Sequence, residues 1–421
     1  MKKSLFAIAA VTAFAGAAQA QSSVTVYGIL DAGYVGGNTR GATATAVTKT
    51  TGNAFSDGAE STNRLGFKGN EDLGGGASAF FTVELGLAPT TSTSGFKNSA
   101  TTANRQAFVG LKKKGIGDFA VGTQYTVLHN SVAKTDAGGT NNILGDMIYT
   151  SATGNAQPAA DANLAGVTGY AAGQSYTIRS QNALTLNTET YAGFQAHGLV
   201  IMNNANSTQT TLSGTNGYTG GTNNQNGWGL GLDYTWNKLF VTAAFQQLNA
   251  KNAYNLASTA YNTTTGAAAV TGSNNFNIFG AGQASSLGTN VKDNQYYVGA
   301  TYDFGILKAY GQYINRKATL QQNTGYYASR TGEQIGVRSY ITPTIEAWAQ
   351  GGLGKMTAFG NSNPAANMTS WQIGSNYWLS KRTNLYAIYG QVGTSNVSVV
   401  NNQNPASFNA SNYALGLRHT F

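Results

Sequence analysis

The sequence predicts an all-β fold, a transmembrane antiparallel β-barrel closed on itself. Three observations carry this prediction. Apolar and polar side chains alternate over segments of about ten residues again and again along the chain, the pattern of strands that face lipid on one side and a polar interior on the other. Charged residues make up only 10% of the 421 positions, while Gly (54), Tyr (23) and Phe (18) are abundant and Pro (5) is rare; an ordinary soluble domain carries about 25% charge. After the first 20 residues every apolar run is broken within a few positions by Gly, Asn, Thr or a charge, so no segment is suited to cross a bilayer as a helix.

The elements follow in order. Lys2 and Lys3 precede an apolar stretch from Leu5 to Ala18 and an Ala18-Gln19-Ala20 motif, the layout of a secretory signal peptide. Cleavage is expected after Ala20, leaving 21–421 as one exported domain. Strands are then predicted at 23–34, 61–69, 77–88, 103–112, 117–125, 174–186 and 190–203. The strand 227–236 shows the pattern most cleanly: Trp228, Leu230, Leu232, Tyr234 and Trp236 alternate with Gly229, Gly231, Asp233 and Thr235. The turn Asn237-Lys238 leads straight into 239–250, so the two read as a tight hairpin. Further strands are predicted at 293–303, 306–316, 331–341, 344–354, 369–379, 382–392 and 410–421, which brings the total to sixteen. Short turns such as Lys113-Lys114-Gly115 and Ser380-Lys381-Arg382 take turns with long Gly, Asn, Ser and Thr-rich loops near 35–60, 89–102, 126–173, 204–226, 251–292, 317–330, 355–368 and 393–409. That asymmetry is the habit of outer-membrane barrels. Tyr296, Tyr302, Trp371, Tyr377 and Trp378 near strand ends are expected to form interfacial girdles.

Lipid offers no partner to a backbone amide, so spanning strands must close. Sixteen strands enclose more space than their side chains fill, and the consequence is an aqueous channel. The inward positions are then expected to be polar and sparsely charged, namely Asp31, Arg64, Lys68, Glu84, Arg105, Arg179, Asp233, Lys308, Arg316, Arg338, Glu346 and Arg418, with basic residues outnumbering acidic ones.

Other classes find little support. There is no Cys, hence no disulfide frame, thiolate metal site or cysteine nucleophile. His129, His197 and His419 lie in no motif that supplies a catalytic partner. No phosphate loop, calcium loop or His-rich metal tract is present, and no cofactor or metal is expected. A secreted solenoid would show a fixed repeat, which is missing. The net charge of +9 is too dilute for nucleic acid, its longest basic run being Lys112-Lys113-Lys114 at a turn.

Several segments together resemble the Gram-negative general porins, most closely their β-proteobacterial branch. Ser22-Ser23-Val24-Thr25-Val26-Tyr27-Gly28 is similar to the family's first strand, and Asn63-Arg64-Leu65-Gly66-Phe67-Lys68-Gly69-Asn70-Glu71-Asp72-Leu73-Gly74 to its second strand and turn. Asn104-Arg105-Gln106-Ala107-Phe108 is similar to the fourth strand, and the closing Gly416-Leu417-Arg418-His419-Thr420-Phe421 to the last. The resemblance implies a homotrimer of channels for small hydrophilic solutes and ions, seated in outer-membrane lipid and lipopolysaccharide. It implies that Phe421 is the signal read by the barrel-assembly machinery. It also implies a long third loop folded into the lumen, where a basic cluster of Arg64, Arg105, Arg179 and Lys68 faces acids. Glu84 and the third-loop acids Asp136, Asp146 and Asp161 are the candidates for those acids. Two departures stand out: the third loop lacks a compact acidic Pro-Glu-Phe-Gly-like tip, and Gly122-Thr123-Gln124 carries Thr123 where the family has an intersubunit arginine.

Overall fold

The structure is a computed structural model. It describes residues 23–42, 47–90, 104–149, 175–212, 217–255, 261–262, 267–268, 287–321, 324, 327–359, 366–395 and 407–421. The expected signal peptide, Asp161 and most of the 89–102, 251–292 and 393–409 loops lie outside the described residues.

The chain opens with β1 (Ser23–Ala42), β2 (Val47–Asp57), β3 (Arg64–Gly74), β4 (Ala77–Gly86), β5 (Asn104–Lys113) and β6 (Gly117–Tyr125). A helix, α1 (Val127–Thr135), begins the third loop, and β7 (Arg179–Thr188), β8 (Phe194–Ile201) and β9 (Asn204–Leu212) come after it. The long strands β10 (Gly217–Trp236) and β11 (Leu239–Asn255) follow, then a small separate hairpin, β12 (Tyr261–Asn262) with β13 (Ala267–Ala268). The rest of the wall is β14 (Leu287–Asp303), β15 (Lys308–Leu320), β16 (Tyr327–Tyr340), β17 (Ile345–Phe359), β18 (Ala366–Ser380), β19 (Thr383–Ser395) and β20 (Ser407–Thr420).

Each strand pairs antiparallel with its neighbours, and β1 closes the ring. Its first half, Ser23 to Ile29, pairs with β3; its second half, Ala32 to Ala42, pairs with β2, while Ile29 to Ala42 also pairs with β20 on the other side. Thus β2 and β3 together fill one place in the wall, as β8 and β9 do beside β10. The wall therefore has sixteen places, as the alternation predicts. Backbone bonds between Gly28 and Phe421, 3.1 and 3.2 Å, add the last rung.

Alternation holds along the wall. Leu230 and Leu232 are 60% and 48% exposed, whereas Asp233 between the same partners is 4% exposed. The exposed face is apolar and the face turned to the interior is polar, the reverse of a soluble barrel and the arrangement lipid demands.

Three expectations need correction. The 35–60 and 204–226 stretches are largely strand, because ladder hydrogen bonds need only backbone, and Gly, Thr and Asn outside an apolar band still pair. The strand expected at 174–186 begins only at Arg179; Tyr176 and Ile178 precede it and are buried with Leu128, Val132 and Ile148. Tyr296, Tyr302, Trp371 and Tyr377 are exposed as a girdle requires, but Trp378 lies on the polar face under the Arg418 guanidinium, 5.4 Å from the ring centre.

Candidate functional site

Arg64 opens β3, Glu84 lies near the end of β4 and Arg105 near the start of β5, so adjacent strands carry them to one height. Arg105 shares odd parity with the exposed Val109 and Leu111 and would point outward in a regular ladder. The ladder is irregular there: Glu84 faces Gln106 and Leu85 faces Asn104, leaving Arg105 as the extra residue of a bulge that re-aims its side chain inward.

Glu84 is 3% exposed and is the hub of the cluster. Its carboxylate takes Arg105 Nε at 2.6 Å, the Tyr27 hydroxyl at 3.2 Å and Arg64 Nη1 at 3.8 Å. Arg105 Nη2 also donates to the Tyr125 hydroxyl at 2.9 Å, and the Arg179 guanidinium lies 5.7 Å from the centre of the same ring. Lys68 sits over Tyr27, 5.6 Å from its centre. Three guanidiniums thus gather around one carboxylate, and tyrosine rings hold them in place.

The third loop is described over 126–149 and 175–178. Thr126 caps α1, its hydroxyl accepting from the His129 amide at 3.2 Å and donating to the Thr177 carbonyl at 2.7 Å. Leu128 and Val132 pack with Ile148, Tyr176, Ile178, Tyr297 and Ile314. His129 stacks on Tyr125 at 4.4 Å between centres, with Nδ1 2.9 Å from the Tyr176 hydroxyl. Burial, and then the positive charge of Arg179, Arg105 and Arg64, pulls the His129 imidazole down to about 3, so the ring is neutral at neutral pH. At the far end of α1, Lys134 reaches Asp233 at 2.5 Å, which also meets His197 at 3.1 Å.

Asp136 and Asp146 are buried within the loop's own turns. Asp146 accepts from the amides of Ile148 and Tyr149, 2.7 and 2.6 Å, and from Gln350 Nε2 at 2.9 Å; Asp136 accepts from the Gly138 amide at 3.3 Å and from the Thr140 amide. The two carboxyls share a hydrogen bond, and burial holds both above the usual carboxylate range, Asp146 well above it with the charge of Asp136 adding to the effect. Among the described residues neither forms an ion pair with Arg64, Arg105 or Arg179. The groups beside the arginines are Tyr125 at the end of β6 and, from the third loop, His129 and Tyr149.

Sequence reading missed a set of glutamines. Gln246 faces Gln295, Gln312 faces Gln334, and Gln350 faces Gln372, each in direct cross-strand register. Within these pairs the side chains bond at 2.7, 2.9 and 3.2 Å, and all but Gln312 also bond directly to the loop. The signal that could have found them is plain: each is a large polar residue at an inward position of a predicted strand. Attention to charge passed over them.

A closed barrel with an apolar exterior, a polar interior and a cationic cluster inside defines a membrane channel. A family model described as Gram-negative porin matches residues 7–397. An outer membrane porin protein of Bordetella pertussis is 28% identical over 456 aligned residues, covering 100% of both chains. The solved anion-selective porin from Comamonas acidovorans is similar in fold, with a TM-score of 0.62, 19% identity, and coverage of 95% of this chain and 100% of that one. OmpT of Vibrio cholerae in its trimer form has a TM-score of 0.56 at 14% identity, covering 95% and 99%. The chain belongs to the Gram-negative porin family. It is an outer-membrane porin, a water-filled channel for passive diffusion of small hydrophilic solutes and ions, and not an enzyme.

Proposed function

We propose that this porin favours anions, that residues 126–149 lie across its lumen as the constriction, and that it works as a homotrimer exported with a signal peptide cleaved after Ala20. The observation that carries the anion preference is the gathering of Arg64, Arg105 and Arg179 around the single carboxylate of Glu84. Two unit charges about 4 Å apart in bulk water interact by about 1 kcal/mol, and more beside a low-dielectric wall. A few such charges bias entry several-fold to tens-fold; they do not exclude cations. The bonds from the 126–149 segment to side chains of β10, β14, β16, β17, β18 and β20 support the constriction, because a short segment reaches so many strands by crossing the interior. The similar solved structures, one anion-selective and one recorded as a trimer, support the anion preference and the trimer, and Lys2-Lys3, the apolar stretch and Ala18-Gln19-Ala20 support the signal peptide. On the same reading Phe421 serves recognition by the assembly machinery, and the exterior meets lipid and lipopolysaccharide.

The test is the reversal potential of the purified protein in a planar bilayer under a tenfold KCl gradient. A chloride-favouring potential is expected, with conductance closing in three equal steps. Arg64→Ala and Arg105→Ala are each expected to lower the chloride-to-potassium permeability ratio several-fold. An unchanged ratio in both variants would remove these residues from the selectivity role.

A further inference from the structure

The charged cluster occupies only one side of the barrel. On the other side, strands β11 to β18 present the three glutamine pairs, and to them the loop is tied at both of its described ends. Gln295 accepts from the Thr177 amide at 2.9 Å; Gln334 accepts from the Met147 amide at 2.6 Å; Gln350 accepts from the Gly138 amide at 2.9 Å. Gln372 donates to the carbonyls of Ile143 and Leu144 at 2.8 and 2.9 Å and exchanges bonds with the Asn141 amide at 2.8 and 2.9 Å. Gln312 reaches the Tyr297 hydroxyl at 2.9 Å, which in turn meets Thr135 at the end of α1.

Glycines on neighbouring strands make room for this approach. A Cβ on Gly352 would come within 2.6 Å of Met147 Cβ, and one on Gly390 would overlap the Leu144 carbonyl oxygen. The amide is suited to the task because it both donates and accepts. A glutamine can therefore satisfy its cross-strand partner with one atom and a loop amide or carbonyl with another. A carboxylate would accept only, and would bring a charge that must be desolvated against the wall.

We propose that these glutamine pairs are a seat that positions the constricting segment and so sets the size of solute the channel admits, separately from the arginines that set its charge preference. This rests on the reading that 126–149 narrows the lumen. Being uncharged, the seat holds the segment by contacts that salt does not screen, whereas the field of the arginines is screened. Size selection and charge selection are then two independent devices on opposite sides of one opening.

The experiment measures single-channel conductance in neutral polyethylene glycols of graded size, together with reversal potential, for wild type and for Gln350→Met, Gln372→Met and the double variant. Heat-modifiable gel mobility reports that each barrel is folded. The double variant is expected to admit larger polymers and to at least double the open-channel noise while chloride remains favoured. Gly390→Ala leaves every glutamine in place and presses on Leu144, so it is expected to alter the cut-off and noise by an independent route, and it serves if the methionine variants do not fold. A folded double variant with wild-type cut-off and noise overturns the seat. A cation-favouring wild-type potential overturns the anion reading alone, and a wild-type cut-off no narrower than a fully open barrel overturns the constriction itself.

Discussion

Arg105 shows how far residue-level reading goes. Its motif marks it as interior, yet simple alternation with Val109 and Leu111 would place it outside, and the bulge opposite Glu84 and Leu85 decides the matter. Such a bulge leaves no mark in one sequence, since it depends on how two strands are paired. Asp136 and Asp146 are the converse case. The family resemblance implies acids facing a basic cluster, and the structure buries these two beside Gln334 and Gln350. The sign of their pH dependence follows. Both carboxyls are held above the ordinary range in the docked loop, so docking binds a proton that a released loop would give up. Docking is strongest in acid and weakens as pH rises through the raised values, with Arg338, Tyr149 and Tyr176 as the nearby titratable groups. Amide exchange over 136–149, corrected for intrinsic rate, is expected to show protection falling as pH rises, and Asp146→Asn is expected to flatten the profile. A flat wild-type profile would sink the linkage.

At the scale of elements, period-2 alternation revealed most strands because lipid enforces it on their apolar halves. It fell silent where β1, β2, β9 and β10 run on as Gly, Thr and Asn-rich ladders, since there only backbone bonds hold the pairing. The helix α1 was equally hidden: nine residues beginning after Thr126 carry no long amphipathic stripe, and their core partners come from the loop residues Ile148, Tyr149, Tyr176 and Ile178 and from β11, β14 and β15. Thr126 is the residue that makes the helix start where it does. Thr126→Ala is expected to cost about 1 kcal/mol from the lost cap, and more from the Thr177 carbonyl, which keeps only the longer bond from Gln246 Nε2 at 3.3 Å. Thermal melting of the folded barrel, read with exchange at 127–135, checks both; an unchanged melting temperature and unchanged exchange would show that packing alone holds the helix.

For the whole molecule the closed wall and the dilute interior charge act together. Most inward charges are paired with each other, as in Arg316 with Asp293 at 2.7 Å, Arg338 with Glu346 at 3.5 Å and Arg418 with Glu60 at 3.4 Å. The surplus is concentrated at the arginine cluster. Because the Debye length shrinks from about 10 Å at 0.1 M salt to about 3 Å at 1 M, the chloride preference is expected to decline over that range. Reversal potentials at the same gradient ratio and rising mean salt measure it; a preference constant with salt would point to a binding pocket instead of a field.

The corner at 58–63 has its own consequence. Asp31 accepts from the amides of Glu60 and Ser61 at 2.8 and 2.6 Å, its backbone amide donates to the Asn63 side chain, and Tyr386 donates to it from across the wall at 2.6 Å. This clamp sits between the β1–β2 hairpin above and Arg64 directly below. Changes of length or sequence in the hairpin therefore stop at Asp31, in the way a firebreak stops a fire. The outward-reaching part of the chain is free to diversify while Arg64, proposed above to bias ion entry, keeps its place.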